Sequence, residues 1–205
     1  AKNILSQLIG KYSLLPSIGQ VFDVNNKNNA EIIFAVHFNK EIVNEGHSYW
    51  YDITNLTDES GQAEALVNCF TPGDTRKEMI TYVKAENKAY LMTKFLDTKN
   101  VSFNQVGNDQ ILLRYADVLL MYAEALNELG YDASEGSIAL KQLNATRTRA
   151  GLTKLTAADV PTQESFRKAI LDERQKEFPY EGHRWFDLVR MGYAKSVLAT
   201  QGLNI

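Results

Sequence analysis

The sequence DQILLRYADVLLMYAEALNEL, residues 109–129, predicts an apolar helix that is packed on several sides. Apolar residues recur along it at helical spacing and cover most of its circumference. They are Leu112, Leu113, Ala116, Leu119, Leu120, Ala123 and Leu126. Asp109 is a typical N-cap residue and Gly130 is typical of the position that follows a helix, so both ends of the helix are marked.

Three further helices are predicted in the same half of the chain. One covers about residues 134–150 and ends before Gly151, and it forms an antiparallel hairpin with the first helix. Another follows Thr162, a typical N-cap residue, and continues to about Phe178, and the last covers about residues 183–199. Small residues make the hairpin similar to those of tetratricopeptide-type proteins, although no repeat period is visible in the chain.

Residues 1–108 differ from this helical half because they contain clusters of turn-forming residues, such as the asparagine-rich run at residues 24–29. The stretch EIIFAVHF, residues 31–38, has the length and composition of a strand, and its imperfect alternation predicts a well-buried strand. A short helix at residues 2–10 and a second strand near residues 81–82 are also expected, with long loops elsewhere.

The fold class that follows is mainly α, with tetratricopeptide-like helical hairpins and a loop-rich subdomain that contains a few short strands. Residues 1–108 form the loop-rich region of this division, and residues 109–205 form the helical region.

Charge and cysteine content exclude several classes of protein. The chain has 22 Lys and Arg residues against 25 Asp and Glu residues, so the clustered positive charge that binds nucleic acid is missing. Cys69 is the only cysteine, which excludes an internal disulfide and a cysteine-based metal site. The first residues lack the pattern of a signal peptide, so we expect either a cytosolic protein or a processed part of an exported one.

Motifs for catalysis and cofactor binding are also missing from the sequence. The three histidines, His37, His47 and His183, do not form the spacing of a zinc site, and no glycine-rich nucleotide-binding motif occurs. No serine nucleophile motif is present, and Cys69 has no evident base partner. We therefore expect a protein that is not an enzyme and that holds no metal or cofactor.

Two acidic residues on the third predicted helix are the strongest candidates for chemistry. At 100° per residue, Glu173 and Glu177 continue the apolar face that Phe166 begins. Carboxylates on a buried face need cations. A glycosidase acid and base pair is the alternative, but one turn of one helix points both carboxylates the same way, so we favour a structural ion network. The predicted network is Glu173, Glu177, Arg147, Arg149 and Arg184.

The run HSYWY, residues 47–51, places three aromatic residues in direct succession within the loop-rich region. Because consecutive side chains of an extended backbone point in opposite directions, these rings cannot all enter one core. An exposed ring can stack on the apolar face of a sugar or contact a protein, and burial of two rings with one incidental exposure is an equal alternative. Trp185, in contrast, is expected in the core because its helix has apolar neighbours.

Three long motifs resemble the SusD/RagB family of outer-membrane nutrient-binding lipoproteins. They are RYADVLLMYAEALNE at residues 114–128, LNATRTRAGL at residues 143–152 and DERQKEFPYEGHRWFDLVRMG at residues 172–192. Upstream, AEIIFAVHF and GDTRKEMI are similar to further family segments, so the resemblance covers nearly the whole chain. Gln175 and Phe178 depart mildly from the family pattern. Family members are much longer, so the chain is similar to the C-terminal portion of such a protein.

The resemblance implies one partial SusD-like domain, with ligand recognition by residues 1–108 and a scaffold formed by residues 109–205. It implies a non-catalytic protein that holds an oligosaccharide or glycan nutrient at the cell surface for a TonB-dependent, SusC-like outer-membrane transporter. It also implies a lipid anchor in an N-terminal region that is absent from this chain. The alternative is a helical interaction module that docks the transporter or another protein without binding sugar.

The family motifs transfer no ligand-binding residue, so the candidate contacts are chosen on physical grounds. They are Trp50, Tyr49, Tyr51 and His47, with Arg76 as a weaker polar contact. Stacking of a sugar on such rings is expected to give modest affinity, with dissociation constants from about micromolar to about millimolar.

Overall fold

The structure is a computed structural model, and it describes residues 1–46, 66–79, 82–84, 89–91, 94–95, 97, 106–132 and 134–200. Most of the regular secondary structure in these residues is helical. Its elements in chain order are α1 (Lys2–Ser6), α2 (Ile18–Val21), β1 (Ile32–Val36), a 3-10 turn (Thr75–Met79), β2 (Tyr82–Lys84), β3 (Ala89–Leu91), β4 (Gln110–Arg114), α3 (Tyr115–Leu129), α4 (Ile138–Arg149), α5 (Gln163–Glu177), α6 (Arg184–Arg190) and α7 (Ala194–Thr200). Within these described residues, no helix has the length and apolar character needed to cross a membrane. The predicted fold class, mainly α with a few short strands, is confirmed.

The core lies where helices α3, α4 and α5 pack together. The predicted hairpin is formed by α3 and α4, and α5 packs against both of its helices. Ala116 and Ala123 of α3 have no exposed surface, and their small side chains let the neighbouring helices approach closely. Their larger buried neighbours are Leu120, Leu140, Leu143, Phe166, Ile170 and Phe178. This core sets the relative positions of the helices that carry the charged residues described below.

The predicted ends of α4 and α5 are confirmed to within about one helical turn. Thr162 is the N-cap of α5, and its hydroxyl oxygen accepts a hydrogen bond from Ser165 N–H at 3.1 Å. Gly151 follows α4 with a φ of +79°, a conformation that favours glycine. Leu152 N–H then donates to the carbonyl oxygen of Arg147 at 2.9 Å, which closes the helix end.

Helix α3 begins later than the sequence indicates, because residues 110–114 form strand β4. This strand pairs antiparallel with β1, and Arg114, in extended backbone, is the N-cap residue of α3. Asp109 does not cap the helix, since its carboxylate accepts hydrogen bonds from Lys27 Nζ at 2.6 Å and Phe38 N–H at 3.1 Å. Hydrogen bonds to β1 and the buried ion pairs of Arg114 replace the first turn that helical periodicity predicts.

Strand β1 is half-solvated, which corrects the expectation of a well-buried strand. Phe34 and Val36 are 54% and 44% exposed, while Ile32 and Ala35 pack against a second cluster of buried apolar residues. The reason is that β1 and β4 form a two-stranded sheet, so one face of the strand remains open to solvent. The strand predicted near residues 81–82 is confirmed by β2, which pairs antiparallel with β3.

The last predicted helix is broken into α6 and α7 at Gly192, which has a φ of +78°. Tyr193 N–H donates to the carbonyl oxygen of Leu188 at 2.8 Å, and Gly192 N–H donates to that of Val189 at 3.2 Å. These two hydrogen bonds form a Schellman motif, which ends many helices. The sequence did not predict this break, because the residues on both sides of Gly192 have a helical pattern.

Leu120→Ala is expected to lower the free energy of unfolding by about 2–5 kcal/mol, because it leaves a cavity in the core between α3, α4 and α5. The matched control is Leu129→Ala on the same helix, where the side chain is 71% exposed and the expected loss is within about 0.5 kcal/mol. Chemical denaturation measures both values. Equal losses for the two variants would contradict the core described for α3.

Candidate functional site

Glu177, the last residue of α5, is the centre of a buried cluster of charges. Its side chain has no exposed surface, and its carboxylate pairs with three guanidinium groups. Arg114 Nη1 donates to it at 2.6 Å and Arg76 Nη1 at 3.1 Å, and Arg149 Nη2 donates as well. Arginine suits this role because its planar fork can hold several carboxylate oxygens. One carboxylate therefore joins α5 to three other parts of the chain.

Glu31, directly before β1, ties the first strand to two of the same arginines. Its carboxylate accepts hydrogen bonds from Arg149 Nη1 at 2.8 Å and from Arg114 Nη1 at 3.0 Å, and Leu15 N–H donates to it at 2.9 Å. The backbone oxygen of Glu31 accepts a hydrogen bond at 2.8 Å from Tyr115 N–H, at the first residue of α3. Strand β1 and helix α3 are therefore joined through both side chain and backbone.

Arg76, in the 3-10 turn, connects the loop-rich region to α5. Its guanidinium donates to Asp74 Oδ2 and to Glu173 Oε1, both at 2.7 Å, in addition to Glu177. Arg147 Nη1 lies 3.6 Å from Glu173 Oε2. The assignment of Arg76 to a ligand contact is therefore corrected. Its side chain is 1% exposed, and every nitrogen of its guanidinium donates to a carboxylate of the protein.

Glu181 and Lys94 complete the cluster on the side of the loop-rich region. Arg114 Nε donates to Glu181 Oε2 at 2.7 Å, and Lys94 Nζ pairs with the same carboxylate. Burial lowers the pKa of Lys94 to about 8, although the charge of Glu181 acts in the opposite direction. Five carboxylates thus balance five cations, and we call these ten side chains the charge network: Glu31, Asp74, Glu173, Glu177, Glu181, Arg76, Lys94, Arg114, Arg147 and Arg149.

The arginines around Glu177 keep its carboxylate ionised. Burial by itself raises the pKa of Glu177, but the positive charges of Arg149, Arg114 and Arg76 outweigh burial and hold the pKa well below its usual value. A glycosidase acid needs a raised pKa and access to its substrate. Neither condition fits Glu177. The geometry therefore favours a structural network over an acid and base pair.

The structure brings together four of the five residues that the sequence assigned to an ion network, namely Glu173, Glu177, Arg147 and Arg149. Arg184 lies apart from them, because it follows the turn after α5. Its Nη1 atom donates to the carbonyl oxygen of Leu171 at 3.2 Å, and no ion pair within the described ranges joins it to either glutamate.

Sequence reasoning missed the members of the network that come from outside the helices. These are Glu31, Asp74, Lys94, Arg114 and Glu181, with Arg76 assigned elsewhere. The one available signal was Arg114, a charge that interrupts an otherwise apolar stretch at residues 111–116. Such a residue is buried only when carboxylates from elsewhere in the fold reach it.

A second buried ion cluster joins α3, α5 and α6. Arg174 Nη1 donates to Asp117 Oδ1 at 2.6 Å, and Arg174 Nε donates to Asp187 Oδ2 at 2.7 Å. The ring of Phe178 contacts this cluster and the charge network together, since the guanidinium carbons of Arg114 and Arg174 lie 4.4 and 4.9 Å from the ring centre. The carboxylates of this cluster are likewise paired with arginine.

Helix α6 exposes three large apolar residues, Trp185, Phe186 and Val189, which we call the α6 patch. Their exposed fractions are 52%, 68% and 51%. Asp187 and Leu188 occupy the buried face of the helix, because Asp187 is held inward by its ion pairs. The prediction that Trp185 lies in the core is therefore wrong. A patch of this composition is typical of surfaces that contact another molecule.

The four aromatic and histidine side chains chosen as ligand contacts, Trp50, Tyr49, Tyr51 and His47, lie outside the described residues and stay predictions. An open cleft of about 820 Å3 lies between residues 14–16 and α4. Leucines and lysines line it, and its described lining contains no aromatic ring on which a sugar could stack.

Glu177→Ala is expected to lower the free energy of unfolding by about 3–5 kcal/mol, because three buried guanidinium groups lose a shared carboxylate. The control is Glu128→Ala, which removes a solvent-exposed partner of Arg167 at 2.7 Å and should cost less than about 1 kcal/mol. Denaturant titration of both variants measures the difference. An unchanged melting temperature for Glu177→Ala would refute the structural role.

Acid is expected to weaken the fold through the charge network. Since the pKa values of folded Glu177 and Glu181 lie below the ordinary value of 4.5, the ionised carboxylates stabilise the fold above that pH. This stabilisation is lost as the pH falls from 4.5 toward the folded pKa values. Melting temperatures measured at decreasing pH should therefore drop in this window, and less so for Glu177→Gln. Parallel curves for the variant and the unmodified protein would contradict this source of acid sensitivity.

Comparison with known sequences places these features in one family. The SusD family model matches residues 78–202. SusD-like protein P25 of Formosa agariphila is 28% identical over 249 aligned residues, which cover 95% of this chain and 46% of the relative. SusD-like protein P2 of the same organism is 37% identical over 103 residues, 48% of this chain and 20% of the relative. The chain thus spans less than half the length of these two relatives.

Solved structures share the fold. Surface glycan-binding protein A from Bacteroides fluxus superposes with a TM-score of 0.76 at 23% identity, over 96% of this chain and 48% of that one. Surface glycan-binding protein A from Bacteroides thetaiotaomicron, in complex with laminarihexaose, superposes with a TM-score of 0.71 at 20% identity, over 96% of this chain and 50% of that one. Because the family model also matches more than half of the chain, the resemblance carried by the three sequence motifs is confirmed, and the chain belongs to the SusD family.

Proposed function

We propose that this protein binds a glycan or oligosaccharide nutrient at the cell surface and passes it, chemically unchanged, to a TonB-dependent, SusC-like transporter of the outer membrane. Membership of the SusD family is the observation that carries the proposal. Proteins of the same fold are named surface glycan-binding proteins, and one was solved with laminarihexaose. A cell-surface position with a lipid anchor outside this chain belongs to the same proposal.

The chemistry of the charge network supports a binding role without catalysis. Its carboxylates are buried and paired, so they offer neither a proton nor a lone pair to a substrate. A rigid frame of this kind suits a protein whose loops hold the ligand, because a frame that does not move spares the binding reaction an ordering cost. The ligand contacts then come from the loop-rich region.

Trp50, Tyr49, Tyr51 and His47 are the side chains that we propose for this contact. Three rings in succession cannot all enter one core, and an exposed ring presents a flat apolar face to a sugar. His47 adds a hydrogen-bonding group beside the rings. Since few rings carry the contact, we expect dissociation constants from about micromolar to about millimolar.

A second candidate function is to dock another protein, with the transporter as the first candidate partner, through the α6 patch. The α6 patch favours it, because tryptophan and other large apolar side chains dominate the binding energy of many protein interfaces. Docking through the α6 patch and sugar binding through residues 47–51 are compatible, since they use separate residues.

The two tryptophans of the chain allow a matched experiment. Trp50→Ala is expected to weaken retention on a glycan array about tenfold or more and to leave pull-down of the co-expressed transporter intact. Trp185→Ala serves as its control and should retain glycan at the unmodified level. If docking alone is the function, neither the unmodified protein nor either variant will be retained on the glycan array. In that case Trp185→Ala will no longer pull down the transporter. Glycan retention that survives Trp50→Ala would refute the proposed contact surface.

A further inference from the structure

Residues 39–45, after strand β1, form a closed turn that we call the acidic turn. Asn39 N–H donates to the carbonyl oxygen of Glu45 at 2.8 Å, and Glu45 N–H donates to that of Ile42 at 3.1 Å. Asn44 has a φ of +68°, a conformation that asparagine adopts more readily than most residues. Backbone hydrogen bonds therefore hold the acidic turn in a defined shape.

The acidic turn exposes two large apolar side chains between two carboxylates. Val43 is 79% exposed and Ile42 is 49% exposed. Glu41 and Glu45 flank them in the sequence and are exposed as well, and neither carboxylate forms an ion pair or hydrogen bond within the described residues. A single exposed apolar side chain is ordinary on a protein surface. Two adjacent ones, on a closed turn with unpaired acids on both sides, suit a cleft that is apolar and positively charged.

The open cleft between residues 14–16 and α4, which we call the α4 cleft, has an apolar lining of this kind. Its volume of about 820 Å3 lies within the range of roughly 300–1,000 Å3 that is typical of binding clefts. Leu14, Leu15 and Leu155 contribute apolar surface to it. One face of α4 forms a side of the cleft, because the lining residues recur at helical spacing. They are Ser137, Leu140, Lys141, Asn144, Ala145 and Thr148.

Three cations and one carboxylate line the α4 cleft, so its formal charge is positive. Arg149 already pairs with carboxylates of the charge network, and Glu135 accepts a hydrogen bond from Ala157 N–H at 2.8 Å. Lys141 and Lys154 are exposed, and in the part of the chain that the structure describes neither of them pairs with a carboxylate. These two lysines are therefore available to the acidic groups of another molecule.

We propose that the α4 cleft of one copy of this chain binds the acidic turn of a second copy. The two apolar side chains of the turn lie against the leucines of the cleft, and the two carboxylates pair with the two lysines. Burial of the apolar side chains favours association, and the opposite charges set its orientation. Because the turn and the cleft are different surfaces, the interface is heterologous. The inference goes beyond the proposed function and does not depend on glycan binding.

Sedimentation of the unmodified protein at increasing concentration measures the association. We expect the average mass to rise above the 23.1 kDa of one chain. Val43→Asn is expected to weaken association about fivefold or more, because it removes apolar surface from the contact. Ile4→Asn is the control, since Ile4 is 69% exposed and lies outside both surfaces. A chain that stays monomeric up to about millimolar concentration would overturn the proposal and leave the α4 cleft to a partner other than a second copy.

Charge reversal tests the pairing itself. The turn variant carries Glu41→Lys and Glu45→Lys, and the cleft variant carries Lys141→Glu and Lys154→Glu. Each variant alone should be monomeric, because like charges then meet at the interface. An equimolar mixture of the two variants should associate again, since the turn of each then faces a cleft of opposite charge. All four substitutions in one chain should also restore association.

A matched control reverses two exposed lysines outside the cleft, Lys168→Glu with Lys195→Glu, and should leave association within about twofold of the unmodified protein. Far-ultraviolet circular dichroism should show the same fold for every variant, because the altered side chains are exposed. Association that survives charge reversal of the turn or of the cleft would refute the proposed contact. Failure of the mixture to associate, with both variants folded, would refute the pairing of turn and cleft as well.

Discussion

A carboxylate without solvent contact, that of Glu177, is surrounded by three guanidinium groups that reach it from separate parts of the chain. Arg76 comes from the loop-rich region, Arg114 from the junction of β4 and α3, and Arg149 from the end of α4. Removal of the Glu177 carboxylate takes a partner from three buried guanidinium groups at once, which costs several kcal/mol. The described parts of the two regions are therefore tied into one unit, and the fold of each depends on the other.

The charge network has a structural role. Its carboxylates are buried and paired with cations from both regions of the chain, so they hold the described elements in position. In our proposal the ligand contacts lie elsewhere, in the loop-rich region, since loops that a rigid scaffold positions often carry the binding residues of a protein.

Local pattern predicted the parts of the fold that local physics controls. The hairpin, the N-cap at Thr162 and the end of α4 at Gly151 follow from periodicity and backbone preference, and all are present. The predictions failed where distant residues compete with local preference. Strand β4 replaces the start of a helix because β1 offers hydrogen bonds, and Trp185 faces solvent because the ion pairs of Asp187 orient its helix.

For the candidate site, the sequence by itself determined that Glu173 and Glu177 share the buried face of a helix and need cations. At 100° per residue, both side chains project from the same side of the helix as its apolar residues. It also carried the family motifs, which are long enough to recognise without a structure. Only the tertiary structure decided which cations pair with these two glutamates. Arg76 is one of these cations and not a ligand contact. Arg76 is 97 positions from Glu173 and 101 positions from Glu177 along the chain. No sequence periodicity indicates such distant ion pairs, since their geometry exists only after the chain has folded.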